Sequence, residues 1–329
     1  MGNEWFNISA SYLLTFGIAF LVCVIIAPML IPVLHKLKFG QEIREDGPAW
    51  HKKKTGTPTM GGIIFIAGTV IATLIMTQEL SVMIVLLFAV GFGLIGFTDD
   101  FIKVVLKRNL GLTALQKLAL QIAFSVVFVL ALSASGLLRS DIYIPFTHIS
   151  FNLGWFYTVF AVFIMVGFTN AVNLTDGLDG LASSVTAIVS LFFAVAAFMC
   201  GNRPLAVFMI ALTGGCIGFL VFNRYPAKVF MGDTGSLFLG GALAGAAIIL
   251  KMPLILVIAG IIYVIEALSV MLQVASFKLT GKRIFKMSPI HHHFEMCGWK
   301  EVKIVAVFCV VTALFCVIAY FSVMPFMSV

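Results

Sequence analysis

Long apolar runs, separated by short polar stretches, make up most of this chain. Ten runs approach or reach the roughly 20 residues needed to cross about 30 Å of hydrocarbon: 11–34, 61–77, 82–98, 114–136, 155–172, 181–200, 204–222, 235–250, 253–273 and 303–326. Only Thr77 to Ser81 separates the second from the third. The pattern predicts ten transmembrane helices. A β-barrel would instead show short segments of alternating polarity. Gly240, Gly241 and Gly245 fall inside the eighth run, where small residues let helices approach closely. No internal repeat and no domain boundary is visible, so residues 1–329 read as one polytopic all-α membrane domain.

Composition agrees with the pattern. Hydrophobic residues make up 61% of the 329 positions and charged residues 11%, and the mean hydropathy is +1.11. Soluble domains carry about 25% charge. A water-soluble fold, a disordered chain and an ordinary nucleic-acid binder are therefore excluded. The six cysteines (Cys23, Cys200, Cys216, Cys297, Cys309, Cys316) show no CxxC spacing and read as small hydrophobes within helices. The first 17 residues hold no Lys or Arg and no small-residue cleavage site, so no cleaved leader is expected.

The distribution of charge predicts orientation. Ten spans place both termini on one side, together with Arg139, Arg203 and Lys251. The other 18 of the 21 Lys and Arg lie in the connections on the opposite side, at 35–60, 99–117, 223–234 and 274–303. Basic connections remain cytoplasmic. That side is expected to face the cytoplasm, with both termini outside.

Five aspartates, Asp99, Asp100, Asp176, Asp179 and Asp233, fall at the cytoplasmic ends of predicted spans. One such residue would be read as a helix cap. Five on one side, beside a basic collar, point to a site. Adjacent carboxylates at 99 and 100 repel unless a cation or a proton lies between them. They could hold Mg²⁺, or supply one ligand and one base. Lys103 and Lys107 follow at i+4 steps, on the helical face of Asp99.

Polar residues recur every third position at Asn170, Asn173, Asp176 and Asp179, followed by Gly177 and Gly180. On a helix they would line one drifting face with amide and carboxylate oxygens, the groups that a sugar or nucleobase edge requires. Residues 229–236, Val-Phe-Met-Gly-Asp-Thr-Gly-Ser, form a glycine-rich turn ahead of a helix, able to offer N–H groups to phosphate. They lack the P-loop spacing. Phe230 is either packing or a platform for a planar ring. His291, His292 and His293 are consecutive, so they lack the i, i+4 spacing of a helical zinc site. Imidazoles on a loop can donate to phosphate or move protons. The stretch from Val274 to Met287 reads as a basic amphipathic helix on the membrane surface. In 50–62, lysines precede a hydroxyl- and glycine-rich turn that suits a phosphate ligand; such lysines also serve as positive-inside anchors.

Five blocks appear in an order that strongly resembles the bacterial phospho-N-acetylmuramoyl-pentapeptide transferases. They are GTPTMGG (56–62), Asp99-Asp100, NAVNLTDGLDG (170–180), FMGDTGS (230–236) and PIHHHFE (289–295). The resemblance spans essentially the whole chain. The paired aspartates and the Asn/Asp row are shared with the wider polyprenyl-phosphate N-acetylhexosamine-1-phosphate transferases, whereas PTMGG and PIHHHFE point to the muramoyl-pentapeptide branch.

The resemblance implies ten spans in the bacterial inner membrane, a cytoplasmic active site, Mg²⁺ dependence and a homodimer. It implies transfer of phospho-MurNAc-pentapeptide from UDP-MurNAc-pentapeptide to undecaprenyl phosphate, giving lipid I and UMP for peptidoglycan synthesis. By resemblance, Asp233 is the Mg²⁺ ligand, Asp99 positions or deprotonates the lipid phosphate with Asp100 beside it, and His291 joins the catalytic set. Lys54, Lys103, Lys107 and Lys117 hold phosphates. Gly177, Leu178, Asp179 and Phe230 form the uridine pocket. Thr59, Asn170, Asn173, Asp176, Asn223, Gln273, His292 and His293 complete the substrate cleft. Two alternatives stay open: a related transferase using UDP-N-acetylglucosamine, which PIHHHFE argues against, and a secondary transporter. A transporter would carry charges at the bilayer midplane; the clear mid-span acid here is Glu266.

Overall fold

The computed structural model describes residues 2–36, 56–105 and 111–327. The helices are α1 (Gly2–Lys36), α2 (Gly62–Met76), α3 (Leu80–Val105), α4 (Ala114–Ala134), α5 (Phe156–Thr175), α6 (Leu181–Met199), α7 (Arg203–Asn223), α8 (Gly232–Ile249), α9 (Pro253–Ala259), α10 (Ile261–Thr280), α11 (Ile290–Met296) and α12 (Glu301–Met327). Among the described residues, nine helices are long and apolar enough to cross a membrane, and α2, with 15 residues, is shorter.

The expected span at 253–273 is not one helix. It breaks at Gly260, which leaves helical geometry at φ −95° and ψ 30° and separates α9 from α10. The cause is packing: a Cβ at position 260 would come 2.5 Å from the Phe168 ring. The expected surface helix over 274–287 is absent as well. α10 stops at Thr280 because Gly281 turns left-handed at φ +70°. Gln273 then draws the chain back, accepting the N–H groups of Ile284 (3.0 Å) and Phe285 (2.9 Å) and donating to the Phe285 carbonyl (2.9 Å). Those three bonds compete successfully with continued helix.

α8 is the central helix, buried from Thr234 to Ile248, and packs on α3, α5 and α2. Its glycine- and alanine-rich sequence leaves room for neighbouring backbones. The tightest approach is at Gly96 of α3, where a Cβ would lie 2.1 Å from the Asp233 carbonyl oxygen. A Cβ on Gly62 of α2 would lie 2.4 Å from the Gly235 Cα. These two contacts bring the ends of α2 and α3 onto the start of α8. The outer helix α1 exposes Leu13, Leu14, Leu21, Ile25 and Met29, a surface that only lipid solvates well.

The polar connections gather at two ends, as the charge count requires. At one end, strands β1 (Asp141–Tyr143) and β2 (Ser150–Asn152) pair antiparallel, Ile142 opposite Phe151. The Tyr143 hydroxyl donates to the carbonyls of Thr147 and Ser322, and its N–H to Lys251. At the other end, the Phe230 N–H donates to Pro58, the Leu112 N–H to Asp99 and the Asp179 N–H to Glu301. All five aspartates singled out by sequence lie at this second end.

Candidate active site

The site forms where α3 ends beside the start of α8. Asp99, Asp100 and Asp233 converge, each offering a carboxylate oxygen within 4.8 Å of the others. Asp99 and Asp100 are buried, at 2% and 4% exposure, while Asp233 keeps an edge open. The adjacent pair does not face one partner. Asp99 Oδ1 accepts the Leu112 N–H (2.8 Å), and Asp99 Oδ2 meets Lys103 Nζ (2.5 Å). Asp100 turns to the N-terminus of α8: Oδ1 accepts the Asp233 N–H (3.2 Å), and Oδ2 accepts the N–H (2.9 Å) and hydroxyl (2.7 Å) of Thr234.

That capping corrects one expectation. The N–H groups of the 229–236 turn do not wait for a phosphate, because the anion they bind is Asp100, supplied from another helix. Nor does Asp233 cap α8. Met231 holds the N-cap position, and Asp233 sits inside the first turn. Gly232 makes the turn possible at φ +74°, and a Cβ there would meet Asp100 Oδ2 at 2.6 Å and Thr59 Oγ1 at 2.8 Å.

Asp233 is the hub. Its Oδ2 takes Lys117 Nζ (2.9 Å) and Lys103 Nζ (3.2 Å), and its Oδ1 accepts from Asn173 Nδ2 (2.8 Å). Asn173 also donates to Ser236 Oγ (2.8 Å). Three carboxylates against two ammonium groups leave excess negative charge at a partly buried point. Hard oxygen donors with that excess suit a divalent cation such as Mg²⁺, so the residues present fit the metal. The family resemblance singled out Asp233 as the ligand and the sequence left Asp99 and Asp100 between ligand and base, whereas the fold gathers all three carboxylates.

The row from 170 to 180 does not stay on one helical face. α5 ends at Thr175, with Asp176 at its C-cap. Asn170 donates to Gln121 Oε1 (2.7 Å). Asp179 Oδ2 accepts the Ala227 N–H (2.9 Å). Asn223 is a clamp between loops: Oδ1 accepts from the Gly180 N–H (3.1 Å) and Ser183 Oγ (3.1 Å), and Nδ2 donates to the Val229 carbonyl (2.9 Å). The loop holding Gly177, Leu178 and Asp179 is thereby tied through Asn223 to Val229, the residue before Phe230. Phe230 is half-buried, and its backbone is tied to the 58–61 segment through Pro58 and Gly61 (2.8 Å each).

Burial pushes the Asp176 carboxyl up to about 8, with the like charges of Asp233, Asp100 and Asp179 adding to the shift and the Gly232 N–H opposing it. The unfolded chain holds such a group near about 3.9. Its stabilising contribution is full below that value and is lost as pH rises through about 8. In chelator-treated protein, Asp176→Asn removes this loss. The wild-type melting temperature should fall relative to the variant between about pH 4 and pH 8; parallel curves would contradict the assignment.

Three histidines find three environments. His291 is buried and bonds Glu266 through Nδ1 (3.0 Å). His292 Nδ1 meets Glu295 Oε2 (2.7 Å). His293 Nδ1 accepts the Lys286 N–H (3.1 Å), and its Nε2 lies 3.8 Å from Cys297 Sγ. His293 and Gln273 thus engage the 284–286 loop. Lys54 and Lys107 lie outside the described residues.

Sequence reasoning missed Thr234, Gln121, Ser236, Glu301 and the pairing of Glu266. Gln121 and Glu266 carried a signal, since a polar group within an apolar run needs a partner.

Residues 82–251 match the family model described as Glycosyl transferase family 4. The chain is 56% identical over 309 residues to the phospho-N-acetylmuramoyl-pentapeptide-transferase of Clostridium perfringens (strain 13 / Type A), covering 93% of this chain and 96% of that one. It is 53% identical over 307 residues to the protein of that name from Clostridium kluyveri (strain ATCC 8527), with 93% and 97% covered. The relative of that name from Acetivibrio thermocellus (strain ATCC 27405) is 52% identical over 324 residues, covering 97% of each chain.

Proposed function

The chain belongs to the phospho-N-acetylmuramoyl-pentapeptide transferase family, and from that premise we propose that it moves phospho-MurNAc-pentapeptide from its UDP carrier to undecaprenyl phosphate. The products are lipid I and UMP. One observation carries the reading at this site: three carboxylates and two ammonium groups meet at a single membrane-proximal point. That arrangement suits phosphoryl transfer, where positioning and charge neutralisation do most of the catalysis.

Asp99, Asp100 and Asp233 would hold Mg²⁺, which when bound supplies charge neutralisation at the donor diphosphate and activates the UMP leaving group. Lys103 and Lys117 already stand on Asp233, and their ammonium groups turn to incoming phosphate oxygens. A phosphate monoester with a second pKa near about 6 is largely dianionic at pH 7. The lipid phosphate is then its own nucleophile, and Asp99, held by Leu112, orients it through the Lys103 ammonium that it positions. Asn173 fixes the Asp233 carboxylate. Phe230 and the Gly177–Asp179 loop receive uridine.

The experiment is release of UMP by purified protein given undecaprenyl phosphate and either UDP-MurNAc-pentapeptide or UDP-N-acetylglucosamine with Mg²⁺. Release with the first donor alone supports the reading. Release with the second alone transfers the protein to the related class.

The site faces the cytoplasm of the bacterial inner membrane, on the support of the 18 basic residues that the sequence puts in the connections on that side, and the family resemblance supports a homodimer. In a cysteine-free background, Leu115→Cys and Ile149→Cys, both at exposed positions of opposite ends, should label from opposite sides of the membrane. Labelling of both from outside would refute the orientation.

A further inference from the structure

Glu266 sits in the middle of α10 with no exposure. An ionisable group at that depth requires a partner, and its partner is His291, itself fully buried on α11. The pair is only half satisfied. His291 Nδ1 bonds Glu266 Oε1 at 3.0 Å, while His291 Nε2 and Glu266 Oε2 are both buried without a hydrogen-bond partner. Two orphaned polar atoms on one contact are costly if the pair serves only the fold.

The unpartnered nitrogen has a defined place. It fills the space that a side chain at position 177 would take: a Cβ on Gly177 would lie 2.2 Å from Nε2. Gly177 belongs to the loop that Asn223 ties to Val229, and its neighbour Asp176 receives the Gly232 N–H at the edge of the acid cluster. The ring therefore stands directly behind the loop that receives the donor, with its one uncommitted atom against that loop.

We propose that Glu266 is a positioning residue for the transfer. Its carboxylate, an acceptor only, keeps the proton of His291 on Nδ1 and its ring fixed, so that Nε2 is the atom delivered to the donor when the 176–180 loop adjusts around it. Shared position of a ring by a buried carboxylate sets which nitrogen acts. The inference rests on the transferase reading above.

The test is a double-mutant cycle between Glu266→Gln and His291→Asn, following UMP release and the melting temperature of the full-length protein. Glu266→Gln keeps size and burial but lets an amide N–H donate to Nδ1. It should lower kcat by about ten-fold to a hundred-fold, the range seen when an oriented imidazole loses its outer partner. The KM for the UDP donor should change by less than about three-fold. In the His291→Asn background the same change should cost no further turnover, since the ring it positions is gone. Glu266→Asp, which retains the carboxylate, should recover part of the loss and also serves should the glutamine variant fail to fold.

Turnover within about two-fold of wild type in a folded Glu266→Gln protein would overturn the proposal, as would fully additive losses in the cycle. A fall in melting temperature with unchanged kcat per folded enzyme would make the pair structural and overturn it equally. A wild type that releases no UMP would end the transferase reading instead, so the two failures are distinguishable.

Discussion

Asp233→Asn should lose turnover by about a hundred-fold or more, the scale set by removing a charge-stabilising group from a preorganised site. Three observations make it the largest expected effect. Asp233 is the carboxylate that takes both Lys103 and Lys117, it is held by Asn173, and among the three clustered acids it keeps an open edge. The variant should fold, because the amide can still accept from one lysine and the Lys103–Asp99 contact is untouched. It should also need more Mg²⁺ for half-maximal rate than wild type. Asp100→Asn offers the contrast. Asp100 caps α8 through Asp233 and Thr234, so its loss should lower the melting temperature as well as turnover, a cap being worth about 0.5–2 kcal/mol. Measuring rate against Mg²⁺ concentration and melting temperature on both variants separates these roles. Near-normal turnover of Asp233→Asn at low Mg²⁺ would remove it from the metal site.

Phe230→Ala should weaken binding of the UDP donor by about ten-fold to a hundred-fold, because base–aromatic stacking is worth roughly 1–3 kcal/mol. The ring is half-buried rather than enclosed. Its backbone is fastened on both sides, to Pro58 and Gly61, so the platform is rigid before a ligand arrives. Three residues further on lies Asp233, which places base recognition and the acid cluster on one short turn. Phe230→Trp should keep most of the affinity, and undecaprenyl phosphate binding should change little. Donor affinity and melting temperature measured on the same Phe230→Ala sample decide the matter. Unchanged affinity with lowered stability would make the ring a packing residue.

Much of this was readable from the chain. The apolar runs specify helices that lipid, not water, must solvate, and the location of Arg139, Arg203 and Lys251 against the other basic residues predicts which end is which. Asp99, Asp100, Asp176, Asp179 and Asp233 were visible because a charge at the end of an apolar run has no inexpensive explanation. Local signals also marked the turn at Gly232, whereas the stop at Gly281 was read through as helix.

What the chain order does not reveal is who meets whom. Asp99 and Asp233 are 134 positions apart, and only the close packing permitted by Gly96 and Gly62 brings α3 and α2 onto α8. The direction of each carboxylate was equally hidden: Asp99 and Asp100 are neighbours with different tasks, one facing Lys103 and the other completing a helix end. The same holds for Glu266 and His291, whose contact crosses two helices. Hydropathy and charge are properties of single residues averaged over a window, so they give most of the spans, an expectation of sidedness and the list of acids. Distances and hydrogen-bond partners are properties of pairs far apart in sequence, so the cluster of three carboxylates, the cap supplied by Asp100 and the seating of His291 were decided only by the tertiary packing around α8.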